Sequence, residues 1–139
     1  MRIMAIDYGD ARTGVAISDP TGLLAGYTTV IHSRKAEVVL EELTRLVQAY
    51  QVDELVMGFP RNMDGTEGPR AELYRTFANR VEEATGLKPV LWDERRTTVD
   101  AHRILFNAGK NGKKRKKTVD AVAASLILEG YLEFRRMRG

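Results

Sequence analysis

Residues 2–16 read RIMAIDYGDARTGVA, and the beginning of this stretch decides the fold. Apolar side chains occupy every position from Ile3 to Ile6, which is typical of a central strand whose two faces are both covered. Asp7 ends that strand, where a charged carboxylate is costly unless it gains a cation or hydrogen-bond donors. Two later acids, Glu94 and Asp120, also fall at the ends of predicted elements. We therefore expect the remaining chain to bring these two acids to Asp7.

The composition indicates one soluble domain. A chain of 139 residues can bury a single hydrophobic core, so we expect one domain over residues 1–139. The absence of cysteine excludes a disulfide framework and a cysteine-ligated metal, and it fits a reducing compartment. No apolar run approaches the roughly 20 residues of a membrane span, and the N-terminus lacks a signal-peptide pattern. The sequence therefore predicts a cytoplasmic protein without a membrane partner.

The charge is distributed unevenly along the chain. Residues 1–101 contain 12 Lys/Arg and 16 Asp/Glu, whereas residues 102–139 contain 10 and 3. Most of the excess lies in residues 110–117, a hydrophilic segment predicted to form a loop. Such an asymmetry suggests a polyanionic partner, and a solvated loop is the alternative interpretation.

The order of the elements predicts an α/β fold. Strands at about 2–7, 13–18 and 23–31 have short connections, which favours an antiparallel meander. Later strands follow helices and should be parallel to the first, with right-handed crossovers. The prediction is a mixed five-stranded sheet, three meander strands plus two parallel strands, with helices on both faces. The later elements are a helix at 35–50, a strand at 53–58, a helix between Pro69 and Gly86, a strand at 89–92, a helix at 98–108, and a last helix from Thr118 whose buried side carries Val119, Val122, Ala123, Leu126, Ile127, Gly130, Tyr131 and Phe134.

The predicted sheet places acids at one edge. Ligands of open α/β sheets bind at the carboxyl ends of parallel strands, and both Asp7 and the pair Asp93-Glu94 end such strands. Because Asp93 and Glu94 point in opposite directions, only one can face Asp7, and strand geometry leaves both open. Asp120 lies in the first turn of the last helix, where the helix dipole alone favours an acid. Glu94 beside Arg95 could likewise be a surface ion-pair residue.

Three converging carboxylates would favour a metal ion. Their repulsion amounts to about 4 kcal/mol per pair at a separation of about 4 Å and an effective dielectric near 20. A divalent cation removes it, and oxygen ligands suit Mg²⁺ or Mn²⁺. The two histidines, His32 and His102, are not spaced as ligands. Carboxylates that hold two such ions are typical of phosphodiester hydrolysis, so these residues predict a nuclease whose basic segment holds the polyanion.

Four motifs in chain order resemble the YqgF (RuvX) family. They are Ile6-Asp7-Tyr8-Gly9 with Thr13-Gly14-Val15-Ala16, Gly58-Phe59-Pro60 followed by Gly65, Asp93-Glu94-Arg95-Arg96-Thr97-Thr98, and Asp120-Ala121-Val122-Ala123-Ala124. The resemblance covers essentially the whole chain. It implies an RNase H-like fold related to RuvC-type Holliday junction resolvases. It also implies a metal-dependent nuclease linked to maturation of the 5′ end of 16S ribosomal RNA.

The resemblance also implies roles for particular residues. Asp7, Glu94 and Asp120 correspond to the catalytic and metal-binding acids, which selects Glu94 over Asp93. RuvC-type enzymes use a fourth acid near the last helix, and this sequence has none between Asp100 and Asp120. For Thr97 and Thr98, helix capping is the alternative. The residues expected to contact nucleic acid are Arg61, Asn62, Arg95, Thr97, Thr98, Lys113, Lys114, Arg115, Lys116 and Lys117.

Several functions remain open at this point. The substrate could be a ribosomal RNA precursor or branched DNA, and the protein could be a monomer or a homodimer, since a resolvase that cuts two strands symmetrically needs two sites. A non-catalytic ribosomal RNA-binding assembly factor is an alternative from another class. Residues 7–14 also resemble the first phosphate loop of actin-like kinases, but those proteins need two such domains and 139 residues supply one.

Overall fold

The computed structural model describes residues 1–22, 25–60, 67–93 and 112–138, and for residues 25, 112–121 and 138 it describes the backbone. In these ranges the chain forms five strands and three helices. The strands are β1 (Ile3–Asp7), β2 (Arg12–Ser18), β3 (Ala25–His32), β4 (Glu54–Phe59) and β5 (Val90–Asp93), and the helices are α1 (Ala36–Tyr50), α2 (Arg70–Thr85) and α3 (Gly112–Arg138).

The sheet has the predicted topology. Its order in the described ranges is β3-β2-β1-β4-β5, with β1 at the centre. β2 is antiparallel to β1 and to β3, whereas β4 is parallel to β1 and β5 is parallel to β4. The mixed five-stranded sheet and its three-strand meander are therefore confirmed. The predicted helix at 98–108 lies outside the described residues.

The central strand β1 contributes to two hydrophobic clusters. Met4 and Ile6 belong to the cluster that α1 and α2 cover, and Ile3 and Ala5 belong to the cluster that α3 covers. This alternation is that of a strand whose successive side chains point to opposite faces. Both faces of the sheet are therefore covered by helices, as predicted.

The beginning and the buried side of α3 differ from the prediction. Residues 112–117 form the first turns of α3, so the predicted loop at 110–117 is wrong for them. Lysine and arginine have high helix propensity and no proline follows Gly112, so the run extends the helix. The predicted buried side is also wrong in part, since Phe134 is 38% exposed. Among residues 122–137 the buried α3 side chains are Ala124, Ile127, Leu128, Tyr131 and Leu132.

Tyr131 connects α3 to the beginning of β4. Its hydroxyl donates a hydrogen bond to Oε2 of Glu54 at 2.8 Å, and Nη1 of Arg135 donates to the same oxygen at 2.8 Å. Burial, followed by the hydrogen bond to Glu54, raises the pKa of Tyr131 to about 12.

No helix in the described ranges combines the length and the apolar character that a membrane span requires.

We expect the free energy of unfolding to depend on the protonation of Tyr131 at alkaline pH. Its pKa in the folded state lies above the unfolded value of about 10, so its contribution is complete below about pH 10 and is lost as the pH rises through about 12. Urea unfolding of wild type and Tyr131→Phe between about pH 9 and 12 measures this dependence. The free energy of unfolding of Tyr131→Phe should depend less on pH than that of wild type. Tyr27→Phe is the control, because Tyr27 is 40% exposed, and it should show the same pH dependence as wild type. Identical curves for Tyr131→Phe and wild type would contradict the assignment.

Candidate active site

Asp7 lies at the carboxyl edge of the sheet. It is the last residue of β1, is half-buried, and pairs with Gly14 of β2. Ile3 and Ala5 pack into the cluster under α3, so the alternation of β1 places Asp7 on the same face. The carboxylate therefore stands at the end of a parallel strand, on the side of the sheet that α3 covers.

The pairing of β5 with β4 separates Asp93 from Asp7. Asp93 pairs with Phe59, whose side chain belongs to the cluster under α1 and α2. Trp92 pairs with Gly58 and packs on the cluster under α3. Asp93 therefore occupies a position on the face opposite to that of Asp7.

Helix α2 holds the turn that follows Asp7. The hydroxyl of Tyr74 donates a hydrogen bond to the carbonyl oxygen of Tyr8 at 2.7 Å. The ring of Phe77 stacks on the ring of Tyr8 with 3.8 Å between centroids. Nη2 of Arg70 lies 3.5 Å from Oδ1 of Asp10. The contacts of Tyr74 and Phe77 with Tyr8 fix the backbone immediately after Asp7 against a helix, so they orient the end of β1.

The turn after Asp7 is also closed too tightly for a side chain at Gly9. A Cβ atom built at Gly9 would lie 2.4 Å from the carbonyl oxygen of Arg12, which no real Cβ tolerates. Gly9, Tyr74 and Phe77 are therefore positioning residues that the sequence prediction did not include. Tyr74 and Phe77 have the spacing of a buried helix side, but nothing in the sequence pairs them with Tyr8.

Helix α3 runs along the sheet from the carboxyl edge to the amino edge. Tyr131 and Arg135 contact Glu54, which pairs with Ile3 at the amino edge. Eleven residues separate Tyr131 from Asp120, or about 16 Å of helix, and four residues separate Ile3 from Asp7, or about 13 Å of strand. The backbone of Asp120 thus lies at the end of the sheet where β1 ends.

The other predicted site residues fall in two groups. Residues 113–117 lie in the first turns of α3, ahead of Asp120. Among the described side chains no group of three His, Asp or Glu could hold a metal ion, and of the three predicted acids this set contains only Asp7. The residues outside the described ranges are Arg61, Asn62, Glu94, Arg95, Thr97 and Thr98.

Solved structures define the class to which this fold belongs. Over 99% of this chain and 96% of the other, it is similar to Thermus thermophilus RuvC in complex with a Holliday junction substrate, with a TM-score of 0.65 at 11% identity. It is also similar to the fowlpox virus resolvase in complex with Holliday junction DNA, with a TM-score of 0.61 at 14% identity over 97% of this chain and 99% of the other. The fold is therefore that of the RuvC-type, RNase H-like resolvases.

The sequence comparison is more specific. The model of the family described as "RuvX: Holliday junction resolvase" matches residues 1–134, and the chain belongs to this family. A protein of Carboxydothermus hydrogenoformans named "Putative pre-16S rRNA nuclease" is 46% identical over 135 residues, which cover 97% of this chain and 98% of that protein. A Halothermothrix orenii protein of the same name is 47% identical over 134 residues, 96% of each chain. The resemblance found in the motifs is confirmed.

Proposed function

We propose that this protein is a nuclease that hydrolyses phosphodiester bonds of structured nucleic acid with the help of Mg²⁺ or Mn²⁺. We further propose that its substrate is a precursor of 16S ribosomal RNA, cut during maturation of the 5′ end. The membership of the RuvX family carries this proposal, because the relatives that match over nearly the full chain bear the name of that activity. Such a substrate implies a cytoplasmic protein, and residues 1–139 would form its single nuclease domain.

Asp7, Glu94 and Asp120 are the residues that would hold the metal. The fit is chemical, since Asp7 is a half-buried carboxylate at the carboxyl end of a central parallel strand, and carboxylate oxygens are the ligands that Mg²⁺ and Mn²⁺ prefer. When bound, such ions activate a water molecule and stabilise the leaving oxygen of the displacement. The role of the chain is then to hold the carboxylates in place, and the contacts of Tyr8 with α2 serve that purpose.

The register of β5 and the spacing of residues on α3 support the choice of the second and third acids. Asp93 stands on the face opposite to Asp7, so Glu94 is the acid of that pair that we propose. Asp120 precedes Ala124 by four residues and Ile127 by seven, which is the spacing of one helix side. Ala124 and Ile127 are buried against the sheet under α3. Position 120 therefore lies on the same side of α3 as these two buried residues.

The remaining predicted residues would bind the nucleic acid. Arg61, Asn62, Arg95, Thr97 and Thr98 follow β4 and β5 in the sequence. The basic run at residues 113–117 precedes Asp120 on the same helix. Lysine and arginine bind phosphates without reading sequence, which suits a substrate recognised by its shape.

We expect only part of the basic run to contact one phosphate backbone. On a helix, positions 113, 116 and 117 lie seven, four and three residues before Asp120 and thus on its side, whereas positions 114 and 115 do not. Replacing Lys113, Lys116 and Lys117 with glutamine should lower the slope of log affinity against log salt by about 0.9 per lost duplex contact, or up to about 2.7. A Lys114/Arg115 variant should lower it less per residue. Equal losses per residue in both variants would mean that the basic run attracts the nucleic acid through its total charge and that no side of the helix is preferred.

Cleavage of paired substrates tests the proposed function. The purified protein is incubated with Mn²⁺ and either a 16S ribosomal RNA precursor or a four-way DNA junction. Cleavage of the RNA that is abolished by EDTA supports the proposal. Cleavage of the junction alone favours the second candidate, a Holliday junction resolvase, which the fold of RuvC supports. A resolvase would act as a homodimer, so sedimentation with the junction distinguishes it from a monomeric nuclease. Binding of the RNA without any cleavage would favour the assembly factor.

A further inference from the structure

Arg12 lies next to Asp7 at the carboxyl edge, on the same face of the sheet. Asp7 pairs with Gly14, and Arg12 precedes Gly14 by two residues, so the three positions share one face. One strand spacing of about 4.8 Å and two residues of about 3.3 Å each separate the backbones of Arg12 and Asp7 by about 8 Å. A guanidinium on this residue therefore lies within the reach of a phosphate bound next to Asp7.

Arg34 and Lys35 continue this line of cations beyond β2. Arg12 pairs with His32 of β3, and the amide of Ser33 donates a hydrogen bond to the carbonyl oxygen of Ala11 at 3.1 Å. Arg34 and Lys35 follow directly and are exposed to solvent. Neither of them forms an ion pair with a residue in the described ranges. Three cations thus extend from β2 over β3 to the beginning of α1.

The stability of helix α1 does not explain why a lysine occupies position 35. It occupies the N-cap position of α1 and forms no side-chain cap hydrogen bond. Serine, threonine, aspartate and asparagine are preferred at this position, and the helix dipole disfavours positive charge there. Arg34, one residue earlier, adds a second cation at the same end. Both side chains therefore destabilise the beginning of α1. A binding role would account for their presence.

We propose that Arg12, Arg34 and Lys35 form a phosphate-binding surface that holds the nucleic-acid backbone beside Asp7. The proposal rests on the proposed nuclease function, because it names a substrate contact at the same edge. Charge-assisted bonds to phosphate oxygens are the contacts that fix a nucleic acid without reading its bases. In this arrangement the bound strand extends from Asp7 over the ends of β2 and β3. These strands lie on one side of β1, and β4 and β5 lie on the other.

Two acids close in sequence to these cations, Asp10 and Glu37, pair with other residues. Oδ1 of Asp10 lies 3.5 Å from Nη2 of Arg70, and Oε1 of Glu37 lies 3.8 Å from Nη2 of Arg80. Each of these carboxylates has a cation of its own on α2. Within the part of the chain that the structure describes, the charges of Arg34 and Lys35 are therefore available to a ligand. Arg12 connects these charges to the site, since its backbone lies about 8 Å from that of Asp7, so the ligand would be the backbone that the site cuts.

Lys35→Ser separates binding from stability, because it should change them in opposite directions. The serine supplies the missing N-cap, so the melting temperature should rise by about 2–4 °C. Loss of the ammonium should weaken the binding of a fluorescently labelled RNA hairpin about three- to tenfold and lower the salt slope by about 0.7–0.9. Binding is measured in EDTA, so no cleavage intervenes. Lys88→Ser removes the same charge at an exposed position next to the amino end of β5 and should bind as wild type does.

The outcomes distinguish this proposal from the nuclease assignment. Weaker binding by a more stable Lys35→Ser protein supports the surface, and an Arg12→Gln/Arg34→Gln variant should add to the loss. Unchanged affinity and salt slope for Lys35→Ser would overturn it, and so would an equal loss for Lys88→Ser. If the surface binds as expected but the metal-dependent cleavage fails, the nuclease function is rejected and the surface stands. If cleavage succeeds and Lys35→Ser binds as wild type does, the surface is rejected and the nuclease function stands.

Discussion

Replacing Asp7 with asparagine is expected to lower the rate of Mn²⁺-dependent cleavage by about 10³-fold or more. The amide keeps the size of the side chain but removes the negative charge that would hold the metal, and the contribution of a bound ion to such a displacement amounts to several kcal/mol. Asp7 is the acid for which the structural argument is most direct, because it ends the central strand on the face under α3. The rate is measured on the substrate that wild type cuts, at saturating Mn²⁺.

Asp10→Asn is the matched control for this variant. Asp10 is three residues away, is exposed, and its carboxylate lies 3.5 Å from Arg70, so the same chemical change should leave cleavage near the wild-type rate. Melting curves give a second readout that needs no substrate. Mn²⁺ at about 100 times its dissociation constant should stabilise the wild type by about 2.7 kcal/mol, and Asp7→Asn should lose this gain while Asp10→Asn keeps it. A full metal-induced shift in Asp7→Asn would remove Asp7 from the metal site.

Phe77→Ala is expected to reduce the free energy of unfolding by about 3–5 kcal/mol. The side chain is 3% exposed and stacks on Tyr8 at 3.8 Å, so its removal leaves a cavity between α2 and the turn after Asp7. A loss of this size is a large part of the stability of a typical domain, which is about 5–15 kcal/mol. Urea unfolding at neutral pH measures it.

Leu73→Ala is the control on the same helix. Leu73 lies one turn before Phe77 and is 46% exposed, so its truncation should change the free energy of unfolding by about 0.5 kcal/mol. The contrast between the two positions tests the packing of α2 rather than its helix propensity, since leucine and alanine are both good helix formers. A similar cost for both variants would mean that the ring of Phe77 does not pack against Tyr8.

The sequence predicted the sheet well because the pattern of its strands is local. The continuous apolar run of β1 and the short turns of the meander define the centre and the antiparallel half, and the intervening helices define the parallel half. Each observed strand lies within one or two residues of its predicted position. Patterns of this kind depend on a few neighbouring residues, so the sequence alone is enough to read them.

Features that depend on packing between distant segments were predicted less well. The buried side of α3 includes Leu128 and Leu132, which the periodicity did not select, because the docking angle of a helix is set by the sheet beneath it. The contact of Tyr74 with Tyr8 joins residues 66 positions apart and has no local signal. The face on which Asp93 lies was also not predicted from the sequence, because it depends on the register of β5. Local alternation left both faces open for Asp93, and its pairing with Phe59 places it on the face opposite to that of Asp7.

The length of α3 has a consequence for the order in which the protein becomes competent. This helix includes Asp120 and is fastened near its other end through Tyr131 and Arg135 to Glu54. On the proposed assignment, the third metal ligand is in place only when residues 131–135 have docked on the beginning of β4. On this assignment, molecules in which this end of α3 is undocked cannot cut, so cleavage is confined to molecules whose sheet and α3 are assembled.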